Sequence, residues 1–370
     1  MQWTLARSGP RRWLAAALIV VSTAAAGCER SSEAVMDGKR PVSEDELQAA
    51  VRDQLGLVKS GRATSLHSSS VRDSSFAELD DLDNLQVLDL ANSCVSDAGL
   101  RALPTMSQLH GLDLAHTLVS DQAMAAVGRC AGLEELCLNY AKVSDRGIQQ
   151  LDGLRRLREL RLRATAVGDD SMSWVARQSN LNSLSVAGTN VTDEGLLRLR
   201  GLRHLEELRL GNTAITDAGL AALRKMSGLK RLSLRNTAIT DAGLNRIKHL
   251  RQLEELLLEN TGVSDDGLEC LAGMKNLRIL SLSGTRVSDA GLKRLRPLKQ
   301  LSSLYLARTS VTDDAVEPLS ALADELYCLD VTGTRFSMRG LERLTDRLPG
   351  VGDLRRDTST DVDTGTDAGL

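Results

Sequence analysis

From Leu85 onward the apolar residues fall in one fixed order: a Leu-x-x-Leu-x-Leu unit, then Val or Ile at the eleventh place, then apolar residues at places 16, 19 and usually 22. The unit begins again at 109, 133, 157, 181, 205, 229, 253, 277 and 301, a strict 24-residue period, and once more after 25 residues at Leu326. Only the last copy departs at the eleventh place, where Phe336 stands. Leu-x-Leu alternation sends two side chains to one face, as a short strand does, and identical blocks set each strand beside its neighbour in a parallel sheet. Apolar spacing of three at places 16, 19 and 22 suits a short helix packed behind the strand. Strands sit about 4.8 Å apart whereas packed helices need about 8 to 10 Å, so the helical side must fan out. The pattern predicts an α/β solenoid: a curved horseshoe with a parallel β-sheet on the concave face and short helices on the convex face.

The polar places repeat as strictly. The ninth is Thr in nine of eleven copies, the thirteenth is Asp in ten, and TAITDAGL occurs letter for letter at 213–220 and 237–244. A Thr-Asp pair invites a catalytic reading, but a nucleophile needs a base within reach and that base needs an orienting partner. No His recurs beside these pairs. His67, His110, His116, His204 and His249 occupy unrelated places without a ligand spacing, so no catalytic residue, metal site or cofactor is expected. A Ser or Thr just before a helix accepts from a free backbone N–H, and an Asp in the first turn favours the helix's positive end. Thr216-Asp217 and Thr240-Asp241 are therefore expected at strand-to-helix corners as caps, with the following Gly permitting tight packing. Thr213 and Thr237 are expected in a buried hydroxyl ladder that bonds the backbone of adjacent coils.

Eleven in-register copies resemble the leucine-rich repeat family over residues 61–354, and the Thr-x-Val/Ile-Ser/Thr-Asp-x-Gly-Leu segment is closest to its cysteine-containing and ribonuclease-inhibitor-like branches. Thr stands where many relatives carry Asn or Cys, and the period is shorter than in most of the cysteine-containing class. Stacked repeats bury a continuous core only if their ends are closed. Residues 43–84 read as that closure: SEDELQAAVRDQLGL begins with a capping box, Ser43 and Glu46, and aligns Leu47, Val51 and Leu55. A degenerate repeat follows, with Val71, Asp73, Phe76, Leu79 and Leu82 at the expected places. About eleven repeats then fill 85–354, and 355–370 read as a disordered acidic tail.

At the other end Arg7, Arg11 and Arg12 precede an apolar run from Trp13 to Ala26, too short to span a bilayer. The closing Ala25-Ala26-Gly27-Cys28 resembles a bacterial lipobox, although Ala25 stands where Leu is usual. The resemblance implies a signal peptide over 1–27, lipidation at Cys28, a polar tether over 28–42 and an exported, membrane-anchored lipoprotein of the cell envelope. The other cysteines, Cys94, Cys130, Cys137, Cys270 and Cys328, are odd in number and imply no disulfide framework. Lys and Arg total 46 against 49 Asp and Glu, interspersed, so no nucleic-acid partner is expected.

What varies from copy to copy lies at strand places 3, 5 and 7. Glu135, Glu159, Arg161, Arg163, Glu207, Arg209, Arg231, Arg235, Glu255, Glu259 and Tyr305 stand there. They read either as a solvated face laced by ion pairs or as a recognition surface, since Arg and Tyr are preferred interface anchors. Trp174 reads either as covering a neighbouring helix or as a convex contact patch. The resemblance implies a non-enzymatic, monomeric scaffold binding an unknown protein or polymer ligand on the concave face. A ubiquitin-ligase adaptor of the F-box leucine-rich type, without a visible F-box, and a structural envelope spacer are the other classes left open.

Overall fold

The computed structural model describes residues 35–37, 40–42, 44–74, 82, 84–322 and 326–356. They fall into two compact units, the described residues within 35–142 and 150–156, and those within 143–149 and 157–356.

In the first unit β1 (Val35–Asp37) and β2 (Arg40–Val42) pair antiparallel, and the expected cap helix follows as α1 (Glu44–Lys59). Its stripe Val51, Leu55 and Val58 is buried, and α1 packs on β3 (Ser65–His67). Then come β4 (Val87–Asp89), β5 (Gly111–Asp113) and β6 (Glu135–Cys137), parallel and in chain order. Their register stacks Leu66, Leu88, Leu112 and Leu136 in one buried column. Val71 and Leu82 of the degenerate repeat are buried, whereas Phe76 and Leu79 lie outside the described residues.

The second unit continues the pattern through nine parallel strands. They are β7 (Glu159–Arg161), β8 (Ser183–Ser185), β9 (Glu207–Arg209), β10 (Arg231–Ser233), β11 (Glu255–Leu257), β12 (Ile279–Ser281), β13 (Ser303–Tyr305), β14 (Cys328–Asp330) and β15 (Asp353–Arg355). Each pairs with the next at equal places, so the central leucines from Leu160 to Leu354 align. The sheet does not close in either unit, and the repeat coil of strands backed by short helices is as the periodicity predicts. The helical segments differ in kind: Asp169–Val175 and Asp241–Ile247 are α, while Gly219–Lys225 and Asp266–Gly273 are 3₁₀. At seven and eight residues these 3₁₀ runs are longer than the three or four usual for the tighter helix. The last helix, Met338–Arg347, buries Leu341 and Leu344 and exposes Arg339, Glu342, Arg343, Asp346 and Arg347, a polar outer face suited to closing a stack.

At the corners the Thr hydroxyls cap as expected, Thr216 accepting from Ala218 N–H at 3.2 Å and Thr240 from Ala242 N–H at 3.3 Å. The aspartates do more than favour a helix end. Asp217 accepts both the N–H and the O–H of Thr240, one repeat on, at 2.9 and 2.6 Å. Asp193 does the same to Thr216 and Asp241 to Ser264, and Asp73 of the degenerate repeat already does it to Ser96. The Ser337 hydroxyl and N–H bonds hold Asp313 below its ordinary carboxylate range despite some desolvation. Glycine at place 15 makes room for this clamp, since a Cβ on Gly243 would stand 2.3 Å from Asp217 Oδ1. One repeat inverts the arrangement: Gly168 replaces the capping hydroxyl, and buried Ser171 at place 15 donates its hydroxyl to Asp145 instead.

Two expectations need correction. The Thr213 and Thr237 hydroxyls donate to Leu210 O and Leu234 O of their own coil, each at 2.5 Å, and not to the adjacent coil. They serve a tight turn, because place 8 just before them is left-handed in every copy, with φ of 56° at Asn212 and 54° at Asn236. Cys94 is disulfide-bonded, while Cys130, Cys137, Cys270 and Cys328 are free thiols.

Candidate recognition face

Parallel register sets equal strand places side by side, about 4.8 Å apart. In the first unit Glu135 stands half-buried on β6. In the second, Glu159 and Arg161 lie on β7, Glu207 and Arg209 on β9, Arg231 on β10 and Glu255 on β11.

The structure places Glu207 between two guanidinium groups. Arg209 Nε lies 2.5 Å from its Oε1 and Arg231 Nη2 2.9 Å from its Oε2. Burial pushes the Glu207 carboxyl up, but the charges and hydrogen bonds of Arg209 and Arg231 outweigh it and hold it below the usual range. On the next strand but one, burial pushes Glu255 up, Arg209 opposes only in part, and the Glu207 charge adds to the rise. Glu159 is also raised by burial, against the pull of its ion-pair partner Arg161. The charges at places 3 and 5 of β9 to β11 thus form one coupled group, with Glu207 satisfied and Glu255 strained electrostatically.

The Glu255 shift has a definite sign. Its carboxyl binds a proton more readily folded than unfolded, so its contribution to stability is full below the ordinary value of 4.5 and is lost as pH rises through the higher folded value. Glu255→Gln is therefore expected to raise the melting temperature at pH 7. The gain over wild type should vanish in melts below about pH 4, where the wild-type carboxyl is protonated in both states.

At place 7, Arg235 lies along the sheet over Gly211, where an added Cβ would come 2.6 Å from the arginine Cγ. Arg163 is exposed, and Glu259 keeps a buried Oε2 without a hydrogen-bond partner. Tyr305, the remaining candidate, belongs to a second group on β13, β14 and β15. Burial, and then its bond to Cys328, push the Tyr305 hydroxyl up to about 12. The Cys328 thiol, also raised by burial, donates to Asp353 Oδ2 at 3.5 Å, and Arg355 Nη2 holds the same oxygen at 2.8 Å. A thiol kept protonated is a poor nucleophile, so the group can offer hydrogen bonds more readily than covalent chemistry. Asp353 and Arg355 were not among the sequence candidates because no Leu-x-x-Leu unit follows them. The legible signal was Asp353-Leu354-Arg355 standing 25 residues after Cys328-Leu329-Asp330. Trp174 is 2 % exposed, which removes it as a convex contact patch.

One family profile described as leucine rich repeat matches residues 203–263, and a second matches 83–103, 177–199 and 273–295. The matched segments are leucine-rich repeats. The chain is similar in fold to an internalin (inlF) from Listeria monocytogenes, at 21% identity and a TM-score of 0.60, with 85% of this chain and 89% of that chain covered. A leucine-rich repeat protein of Leptospira interrogans is similar at 18% identity and a TM-score of 0.53, over 76% of this chain and 74% of that one. At these identities the likeness shows the fold alone. No curated protein sequence matches the chain.

Proposed function

We propose that this leucine-rich repeat chain is a non-enzymatic recognition scaffold, exported and held at the cell envelope by lipid on Cys28, that binds a protein partner on the strand face. The observation that carries the reading is the strand face of the second unit, where Arg161, Arg163, Arg209, Arg231 and Arg235 are placed on a rigid sheet. Arginine on rigid backbone loses little freedom on binding, which suits an anchor. Leucine-rich repeats are consistent with such a scaffold, and the coupled charges supply specificity more than affinity.

Cys28 lies outside the described residues, and its role rests on the Ala-Ala-Gly-Cys sequence alone. Mass spectrometry of the processed N-terminus tests that role directly: a chain beginning at a lipid-modified Cys28 is expected, and an unmodified Cys28 would remove the anchor. For the strand face, the triple variant Arg161→Ser, Arg163→Ser and Arg235→Ser keeps to the pattern, since Ser185, Ser233 and Ser283 hold the same places elsewhere. Affinity capture from envelope extracts is expected to fall at least tenfold for this variant, with circular dichroism unchanged. Undiminished capture would place the binding surface elsewhere.

A further inference from the structure

Each copy returns from helix to strand through places 20–24. In the second unit, five consecutive returns (200–204, 224–228, 248–252, 272–276 and 296–300) hold nine Lys or Arg and no Asp or Glu. The returns share one geometry, as in Met226 N–H to Leu223 O at 2.9 Å and Leu229 N–H to Met226 O at 3.1 Å. The register of β9 to β13 sets them in a single row along one edge of the unit. Arg200, Arg203, Arg224, Lys225, Lys248 and Arg251 are exposed, and none forms an ion pair among the described residues.

Cations nearer the helices behave differently. Arg198 holds Glu194 at 2.7 Å, and Arg294 reaches Asp266 and Glu269 at 3.1 and 3.4 Å. Place 2, beside the row, holds Glu206, Lys230, Glu254 and Arg278 and so adds no net charge. The clamp aspartates, Asp193 to Asp289, stand at the opposite ends of the helices. The row is therefore an uncompensated positive edge in a chain of net charge −3. At place 2 of the last copy, beyond the row, Tyr327 is 63% exposed, the most exposed large apolar side chain among the described residues.

We propose that this edge docks on an anionic lipid bilayer, the basic row lying against the headgroups and Tyr327 at the interfacial level. Long Lys and Arg stems let the charges reach phosphates while the backbone stays outside, and Tyr suits the boundary because one end is apolar and the other polar. The five returns contain no Phe, Tyr or Trp on which bases could stack, which argues against a single-stranded nucleic acid. Among the described residues no helix is long and apolar enough to cross a membrane, so contact would be peripheral. Each basic residue near an anionic surface changes partitioning by roughly five-fold, and the attraction is screened within about 8 Å at physiological salt.

The test is co-sedimentation of residues 29–370, which lack both the acylation site and the apolar run from Trp13 to Ala26, with phosphatidylcholine vesicles with and without phosphatidylglycerol. Binding is expected only to the anionic vesicles and should fall steeply with added salt. Arg224→Glu, Lys225→Glu, Lys248→Glu and Arg251→Glu together should lower partitioning by about two orders of magnitude or more, with unchanged circular dichroism. The strand-face triple variant should bind vesicles like wild type, so the two surfaces fail separately. Equal binding to neutral vesicles, or charge reversal without effect, overturns the proposal. Stronger salt-dependent retention on soluble polyphosphate than on anionic vesicles assigns the edge to a polymer and overturns it equally.

Discussion

Replacing Asp217 with Ala is expected to destabilise the second unit by about 2–4 kcal/mol in chemical denaturation, because two hydrogen bonds to one charged acceptor disappear together. The carboxylate takes the Thr240 N–H at 2.9 Å and the Thr240 O–H at 2.6 Å. Bonds to a charged group contribute about 1.5–3 kcal/mol each, and the sum of about 3–6 kcal/mol is reduced to about 2–4 because the Thr240 end is solvent-exposed. Asp217→Asn keeps an acceptor for the N–H and should lose about half as much. The same corner supplies an internal control. Gly243→Ala puts a methyl 2.3 Å from Asp217 Oδ1 and 2.9 Å from Ile239 Cγ2, and should destabilise on its own. With Asp217 already truncated the first collision is gone, so the glycine change should cost less in the double variant than alone. Additive effects would mean that carboxylate and glycine do not share the corner.

The second large effect runs in the opposite direction. Gln178→Leu is expected to stabilise the fold by about 1–3 kcal/mol, since a buried polar group without partners bears its full desolvation penalty. Gln178 is 2% exposed, and neither its Oε1 nor its Nε2 has a hydrogen-bond partner. In nine of the other ten copies place 22 holds Leu, Met or Cys, as at Leu202, Met226 and Cys130, all buried. Leucine is close to glutamine in length and removes both orphaned atoms without opening a cavity. Trp174, four residues earlier, keeps an unpartnered buried Nε1 as well, so the end of this helix and the return after it carry three such atoms on two side chains. A lower melting temperature for Gln178→Leu would show that the amide has partners in solution.

The repeat, the parallel strands and the cap helix were legible because each follows from periodicity or from one local signal, such as Ser43-Glu46 before the stripe that includes Val51 and Leu55. The clamp was legible only in part. Thr216 and Asp217 are neighbours in sequence, yet the bond that matters joins Asp217 to Thr240, 23 residues on, and needs the stack to exist first. The hydroxyls at Thr213 and Thr237 bond within their own coil because of the left-handed turn at place 8, which the apolar periodicity does not reveal. Asn or Gly at that place in seven copies, from Asn92 to Gly333, was the available signal. On the strand face the sequence named the charged residues but could not rank them. Glu207 and Glu255 occupy the same place on β9 and β11, and only the arginines around them make one easily ionised and the other reluctant.

The proposed function divides the chain in two: repeated residues build the coil, and varied residues on the strand face are the ones proposed to bind. The most direct measurement compares Arg161→Ser, Arg163→Ser, Arg235→Ser with Asp217→Ala, recording partner capture and melting temperature for each. The strand-face variant should keep its melting temperature and lose capture at least tenfold, whereas the clamp variant should melt earlier and still capture at temperatures where it is folded. Loss of capture on breaking the Asp217 clamp in the folded protein, with capture intact in the strand-face variant, would contradict that division.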